Sequence, residues 1–123
     1  MTLRELYDAI GGDYDRAIAV LRIEKLMDKH IRRLPANPVF ADLDAAGESM
    51  DPVRLFESAH AIKGVCSNLG LITLADVASE ICDEFRDGAV RRLSDEQIKE
   101  KISEIDDGFN KAADAIREYD AAQ

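Results

Sequence analysis

Tryptophan is missing from this 123-residue sequence, and tyrosine and phenylalanine leave it only 6% aromatic. With valine and threonine also sparse, the residues that favour pleated strands are in short supply. No apolar run approaches the length that spans a bilayer. The opening stretch Met1-Thr2-Leu3-Arg4-Glu5-Leu6-Tyr7-Asp8 lacks the apolar core of a secretory leader. A basic surface is lacking too: 25 acidic against 16 basic residues leave a formal charge of −9, which argues against nucleic acid and anionic membranes as partners. The two cysteines, Cys66 and Cys82, have neither C-x-x-C nor Cys/His ligand spacing. They are expected to be buried, reduced thiols, and the protein cytoplasmic. No glycine-rich nucleotide motif and no nucleophile–base–acid constellation appears, so neither an autonomous enzyme nor a resident cofactor or metal is expected.

What the sequence does contain is helix-forming residues, with 33% of positions charged. A capping box of Thr2 and Glu5 opens a short helix over Leu3 to Ile10. Gly11-Gly12 breaks it, and Asp13 can cap a second helix. Tyr14, Ala17, Ile18 and Leu21, then Ile23, Leu26, Met27, His30, Ile31 and Leu34, recur at helical spacing. They predict one long helix or two abutting ones, ending near Arg33 before Pro35. Asn37-Pro38 opens a short helix with Val39, Phe40 and Leu43 that runs out near Gly47. Asp51-Pro52 opens another, ending near Leu69-Gly70. Thr73 is the expected cap of the next, which carries Leu74, Val77, Ala78, Ile81 and Phe85 and stops before Gly88. Ser94 and Gln97 form a second capping box. Beyond them Ile98, Ile102, Ile105, Phe109, Ala112, Ile116 and Tyr119 form the narrow stripe of a bundle helix. With no repeat, no long linker and no period-two alternation, residues 1–123 are expected to form a single all-α domain. The expected architecture is an antiparallel four-helix bundle with additional short N-terminal helices across one end.

The helix over residues 51–69 carries the chemistry. At about 100° per residue, Leu55, Ala59, Ile62, Cys66 and Leu69 share one arc, which is the core face. His60 falls nearly opposite, together with Val53, Phe56, Gly64 and Ser67, and Lys63 stands one turn further on. A mid-helix glycine costs about 1 kcal/mol relative to alanine, and two apolar residues on an outer face are equally out of place. Cleared backbone and apolar side chains beside an exposed imidazole suit a docking surface. A neutral imidazole offers a nucleophilic nitrogen lone pair, and a neighbouring ammonium stabilises the charge on a transferred phosphoryl group.

The stretch Ala59-His60-Ala61-Ile62-Lys63-Gly64-Val65-Cys66-Ser67-Asn68-Leu69-Gly70-Leu71 resembles the signature of histidine-containing phosphotransfer (HPt) domains: His, two residues, Lys-Gly, then Asn-Leu-Gly. The resemblance is sharp over residues 56–71 and extends through about Gly88. It implies a phosphorelay protein that accepts a phosphoryl group on Nε2 of His60 from an aspartyl phosphate and passes it on. The partner implied is a response-regulator receiver domain, including one borne by a hybrid histidine kinase, which brings the Mg²⁺; this chain would act as a monomer. Lys63 would match the family's phosphate-side lysine and Gly64 the glycine that admits the partner. The sequence departs from the family in one respect. Many members carry, on the next helix, a glutamine that hydrogen-bonds the histidine's other nitrogen, and here Cys82 stands in that place. Arg86, one turn later, matches a basic position in some members.

A non-phosphorylated helical adaptor is the competing reading; the intact His60, Lys63 and Gly64 set speaks against it. A histidine-kinase fragment is disfavoured by the missing nucleotide motif, by Met1 and by the capped last helix. His30 is expected to be a boundary residue rather than a metal ligand. The pairs Asp83-Glu84 and Asp106-Asp107 should be solvated helix surface without a calcium-loop pattern, and Arg91-Arg92 a solvated loop pair.

Overall fold

Backbone N–H groups bonded to capping side chains begin most of the helices in the computed structural model, which describes residues 1–123. Thr2 and Glu5 exchange the two bonds of a capping box ahead of α1 (Leu3–Ala9). The Asp13 carboxylate accepts from the Arg16 N–H at the start of α2 (Tyr14–Leu21). α3 covers Glu24–Arg33 and leads into a 3-10 turn over Leu34–Ala36. The Asn37 side chain accepts from the Val39 N–H where α4 (Val39–Ser49) begins. Asp51 accepts from the N–H groups of Val53 and Arg54 and opens α5 (Pro52–Asn68). α6 covers Ile72–Glu84. The Ser94–Gln97 capping box precedes α7 (Asp95–Ala121). Each such cap satisfies donors that the first helical turn leaves open.

α4, α5, α6 and α7 form the bundle: each packs on the next, and α7 closes the ring against α4. The short connections make consecutive helices antiparallel. α1, α2 and α3 gather where α5 and α7 end. α1 and α3 lie against α7 and α2 against α5; Tyr119 donates to Asp28, and Arg32 pairs with both Asp28 and Asp120. One continuous core runs from Leu3 to Tyr119, and all five residues of the expected α5 arc are buried in it. On α7, Phe109 is half-buried and stacks on Phe40, with ring centroids 4.0 Å apart.

Of one long helix or two abutting ones, the structure has two, α2 and α3, parted at Arg22 with its positive φ of 76°. Other expectations are corrected. α3 packs chiefly on α2, α7 and the 3-10 turn, and Ile23 and Leu26, expected on its buried stripe, are 52% and 38% exposed. α4 runs past Gly47 to Ser49; that glycine is buried, and a Cβ on it would lie 2.7 Å from the Ile102 side chain. Close approach of α4 to α7, and not helix termination, accounts for it. Thr73 is not a cap. Leu71 stands at that place without a side-chain hydrogen bond, and because Leu71 is itself core, apolar burial sets the start of α6.

Gly70 links the bundle to the N-terminal helices. Its φ is +73°, its carbonyl accepts from the Asp13 N–H at 2.8 Å, and a Cβ there would stand 2.4 Å from the Asp13 carbonyl oxygen. Any side chain meets both left-handed strain and a backbone atom that cannot swing aside. Gly70→Ala is therefore expected to cost about 2–4 kcal/mol in chemical denaturation. Wild-type stability in that variant would mean that the Asp13–Gly70 contact does not form.

Asp106 is half-buried, unlike its exposed neighbour Asp107. It faces Asp44 of α4 across a cleft that Glu48, Lys99 and Ser103 also line. Burial, then the hydrogen bond to Asp44 and repulsion from Asp44 and Asp107, raise its carboxyl to about 7. The folded protein thus holds this proton more tightly than the unfolded chain does. The stability it contributes is complete below the ordinary aspartate range and is lost as pH rises towards about 7. Asp106→Asn should therefore raise the melting temperature by about 2–5 °C at pH 8 and change it little at pH 4. Equal melting curves for variant and wild type at pH 8 would contradict the assignment.

Candidate functional site

His60 lies in the middle of α5, with Leu55, Ala59 and Ile62 turned inward and its own side chain exposed. The Asp51 cap and the buried α5 arc fix the helix, and 3.6 residues per turn then decide what surrounds the imidazole. One turn before it, Phe56 is half-buried and its ring lies nearly parallel to the imidazole, 9° between planes with centroids 5.7 Å apart. One turn after it, Gly64 is exposed, and a Cβ built on it would have no atom within 4 Å. Lys63 is half-buried and has no carboxylate within ion-pair distance. An ammonium without an internal partner is available to an incoming anion. Ser67 is half-buried, and Val53 is 63% exposed at the start of α5.

α6 contributes Cys82, and Arg86 stands just beyond its end. Cys82 is wholly buried, and Arg86 donates to its Sγ at 3.9 Å and to the Asp83 carboxylate at 3.1 Å. Burial pushes the Cys82 thiol up; Arg86 and Lys63 oppose that shift and Asp83 adds to it. The structure does not bring Cys82 to His60 as a hydrogen-bond partner. Its side chain points into the core, and no hydrogen bond of the protein engages the imidazole. Arg86 instead reaches Phe56, with its guanidinium carbon 5.6 Å from the ring centroid. Sequence reasoning misses this arrangement, although the i, i+4 spacing of Phe56 and His60 on one helix is its signal.

Beside the imidazole, a groove of about 640 Å³ runs between the first turn of α5 and the end of α6; Val53, Phe56, Phe85, Arg86 and Arg91 are among its walls. Val90, 83% exposed, lies in the same α6–α7 connection. The expectation that Val53 and Phe56 are apolar on the outer face thus holds in space. Cys66, by contrast, is sealed in the core, and burial raises its thiol to about 12.

His30 is exposed and lies in a different cleft, of about 260 Å³, with Arg33, Asn37 and Asn68 over Leu21, Leu34, Val65 and Leu69. No group of three or more His, Cys, Asp or Glu side chains is placed to hold a metal ion, and no helix is long and apolar enough to cross a membrane. Among known proteins, the model of one family, the Hpt domain, matches residues 22–117. No curated protein and no solved structure matches the chain.

Proposed function

Because the chain belongs to the Hpt domain family, whose members take part in histidine phosphotransfer in phosphorelays, we propose that His60 is its phosphoryl carrier. The observation that supports this best is the open, unpartnered imidazole, with the unpaired Lys63 and the bare Gly64 backbone within one helical turn of it.

The reaction needs little from this chain beyond placement. With the imidazole neutral and its proton on Nδ1, the Nε2 lone pair attacks the phosphorus of a receiver's aspartyl phosphate. The N–P bond forms as the acyl P–O bond breaks, and that bonding pair leaves with the aspartate carboxylate. The same steps in reverse pass the group to a second receiver. Lys63 meets the oxygens on which negative charge gathers, and the receiver brings the divalent cation. Gly64 lets the receiver backbone come close, while Val53 and Ser67 form part of the surface on which it sits. In this reading the protein acts as a carrier rather than as an enzyme, in the cytoplasm.

Single-turnover incubation with a phosphorylated receiver domain tests the reading. Intact mass should show one added phosphoryl group, lost in acid and retained in alkali, as a phosphoramidate behaves. Binding of the receiver without any mass gain would instead identify an adaptor.

A further inference from the structure

His60 has no hydrogen bond to hold its ring, yet a nucleophilic nitrogen must face its target for transfer to be fast. We propose that Phe56 is a positioning residue for His60: its ring, stacked on the imidazole and backed by Arg86, sets the direction in which the reactive nitrogen faces. The inference rests on the carrier role of His60.

A half-buried phenylalanine on the outer side of a helix could merely cover the core, and Phe56 does pack against it. Covering the core does not require the two rings to lie within 9° of parallel. Parallel, offset rings are a favoured aromatic arrangement and an i, i+4 pair on a helix can reach it, which limits rotation of the imidazole about its own side-chain bonds. The phenyl ring is restrained in turn. The Arg86 guanidinium lies 5.6 Å from its centroid, and Arg86 is tied down by its bonds to Asp83 and Cys82. A chain of contacts therefore runs from α6 through Arg86 and Phe56 to His60, and it makes no use of either imidazole nitrogen. Both nitrogens stay free, one to carry its proton and one to attack.

Phe56→Leu keeps an apolar side chain of similar reach and removes the aromatic face; Phe56→Tyr keeps the face. Three measurements on the full chain separate the possibilities. In carbon-correlated proton spectra of the unphosphorylated protein, the His60 ring protons should lose their ring-current shift in the Leu variant and keep it in the Tyr variant. Receiver affinity should stay within about twofold for both. Single-turnover transfer should slow about tenfold or more in the Leu variant and return to near the wild-type rate in the Tyr variant. Unchanged His60 shifts or undiminished transfer in the Leu variant would overturn the proposal. So would a Tyr variant as slow as Leu, or a loss of affinity that accounts for the whole loss of rate, since Phe56 would then be a docking contact. A wild type that accepts no phosphoryl group would overturn the carrier role and this proposal together. Wild-type uptake with an unaffected Leu variant overturns this proposal alone.

Discussion

His60→Gln is expected to fold as the wild type does and to take up no phosphoryl group from a phosphorylated receiver. Loss of the imidazole breaks no hydrogen bond and opens no buried cavity, because the side chain is exposed and stacks on the Phe56 ring from outside the core. Substitutions at such sites usually change stability by about 0.5 kcal/mol or less. The glutamine amide has no ring nitrogen to attack phosphorus, so the chemical effect is total where the structural one is slight. His30 does not take over. It stands in another cleft, beside Arg33 and Asn37. Intact mass after incubation, read alongside thermal unfolding, gives both quantities. Uptake by the folded variant would remove His60 from the mechanism.

Gly64→Gln is expected to slow transfer about a hundredfold while leaving the fold intact or slightly firmer. Side chains on a helix lean towards its N-terminus, so one at position 64 lies back over the turn that carries His60. The space around the added Cβ is open, so the substitution does not press on the core. Glutamine is also the better helix former by about 0.5–1 kcal/mol. The cost falls on the receiver, which must approach through the volume the side chain now fills. Gly64→Ala should be milder, since a methyl group projects far less. Single-turnover transfer and melting temperature together decide the matter. A Gly64→Gln variant that unfolds would make Gly64 a packing residue like Gly47 or Gly70; one that transfers at the wild-type rate would remove the need for close approach.

Gly64 and Gly47 show where sequence pattern serves and where it stops. Gly64 stands out because its helix is amphipathic and the residue falls on the wrong face for packing, and in space it is open. Gly47 carries the same letter in a similar context, where local pattern reads it as a helix end. Its reason lies in Ile102, more than fifty residues away, and no local pattern reports that contact. Caps are legible wherever an Asp, Asn, Ser or Thr side chain binds a nearby N–H, as at Thr2, Asp13, Asn37, Asp51 and Ser94. Thr73 misleads because burial of Leu71 sets the helix start before capping chemistry can. The stripes on α5 and α7 are legible because both helices have neighbours on a single broad face. α3 packs less extensively, and Ile23 and Leu26 of its apolar pattern remain exposed.

At the site, the spacing of His60, Lys63 and Gly64 can be read directly, because one helix supplies all three and its period is fixed. The link from Arg86 through Phe56 cannot. It joins two helices, Arg86 beyond the end of α6 reaching a ring carried by α5. The raised carboxyl of Asp106 is of the same kind: α7 alone presents an ordinary acidic pair, and burial against α4, beside Asp44, changes what it does.

Residence of the phosphoryl group on His60 can be tested directly. The chain has two histidines, so nitrogen-correlated spectra of the imidazoles resolve the question in one sample. After incubation with a phosphorylated receiver, the His60 ring nitrogens should shift, with phosphorus coupling at Nε2 and a phosphoramidate signal in the phosphorus spectrum, while His30 stays as it was. Phosphorus coupling at His30, or an acyl-phosphate signal with both imidazoles unchanged, would contradict the account.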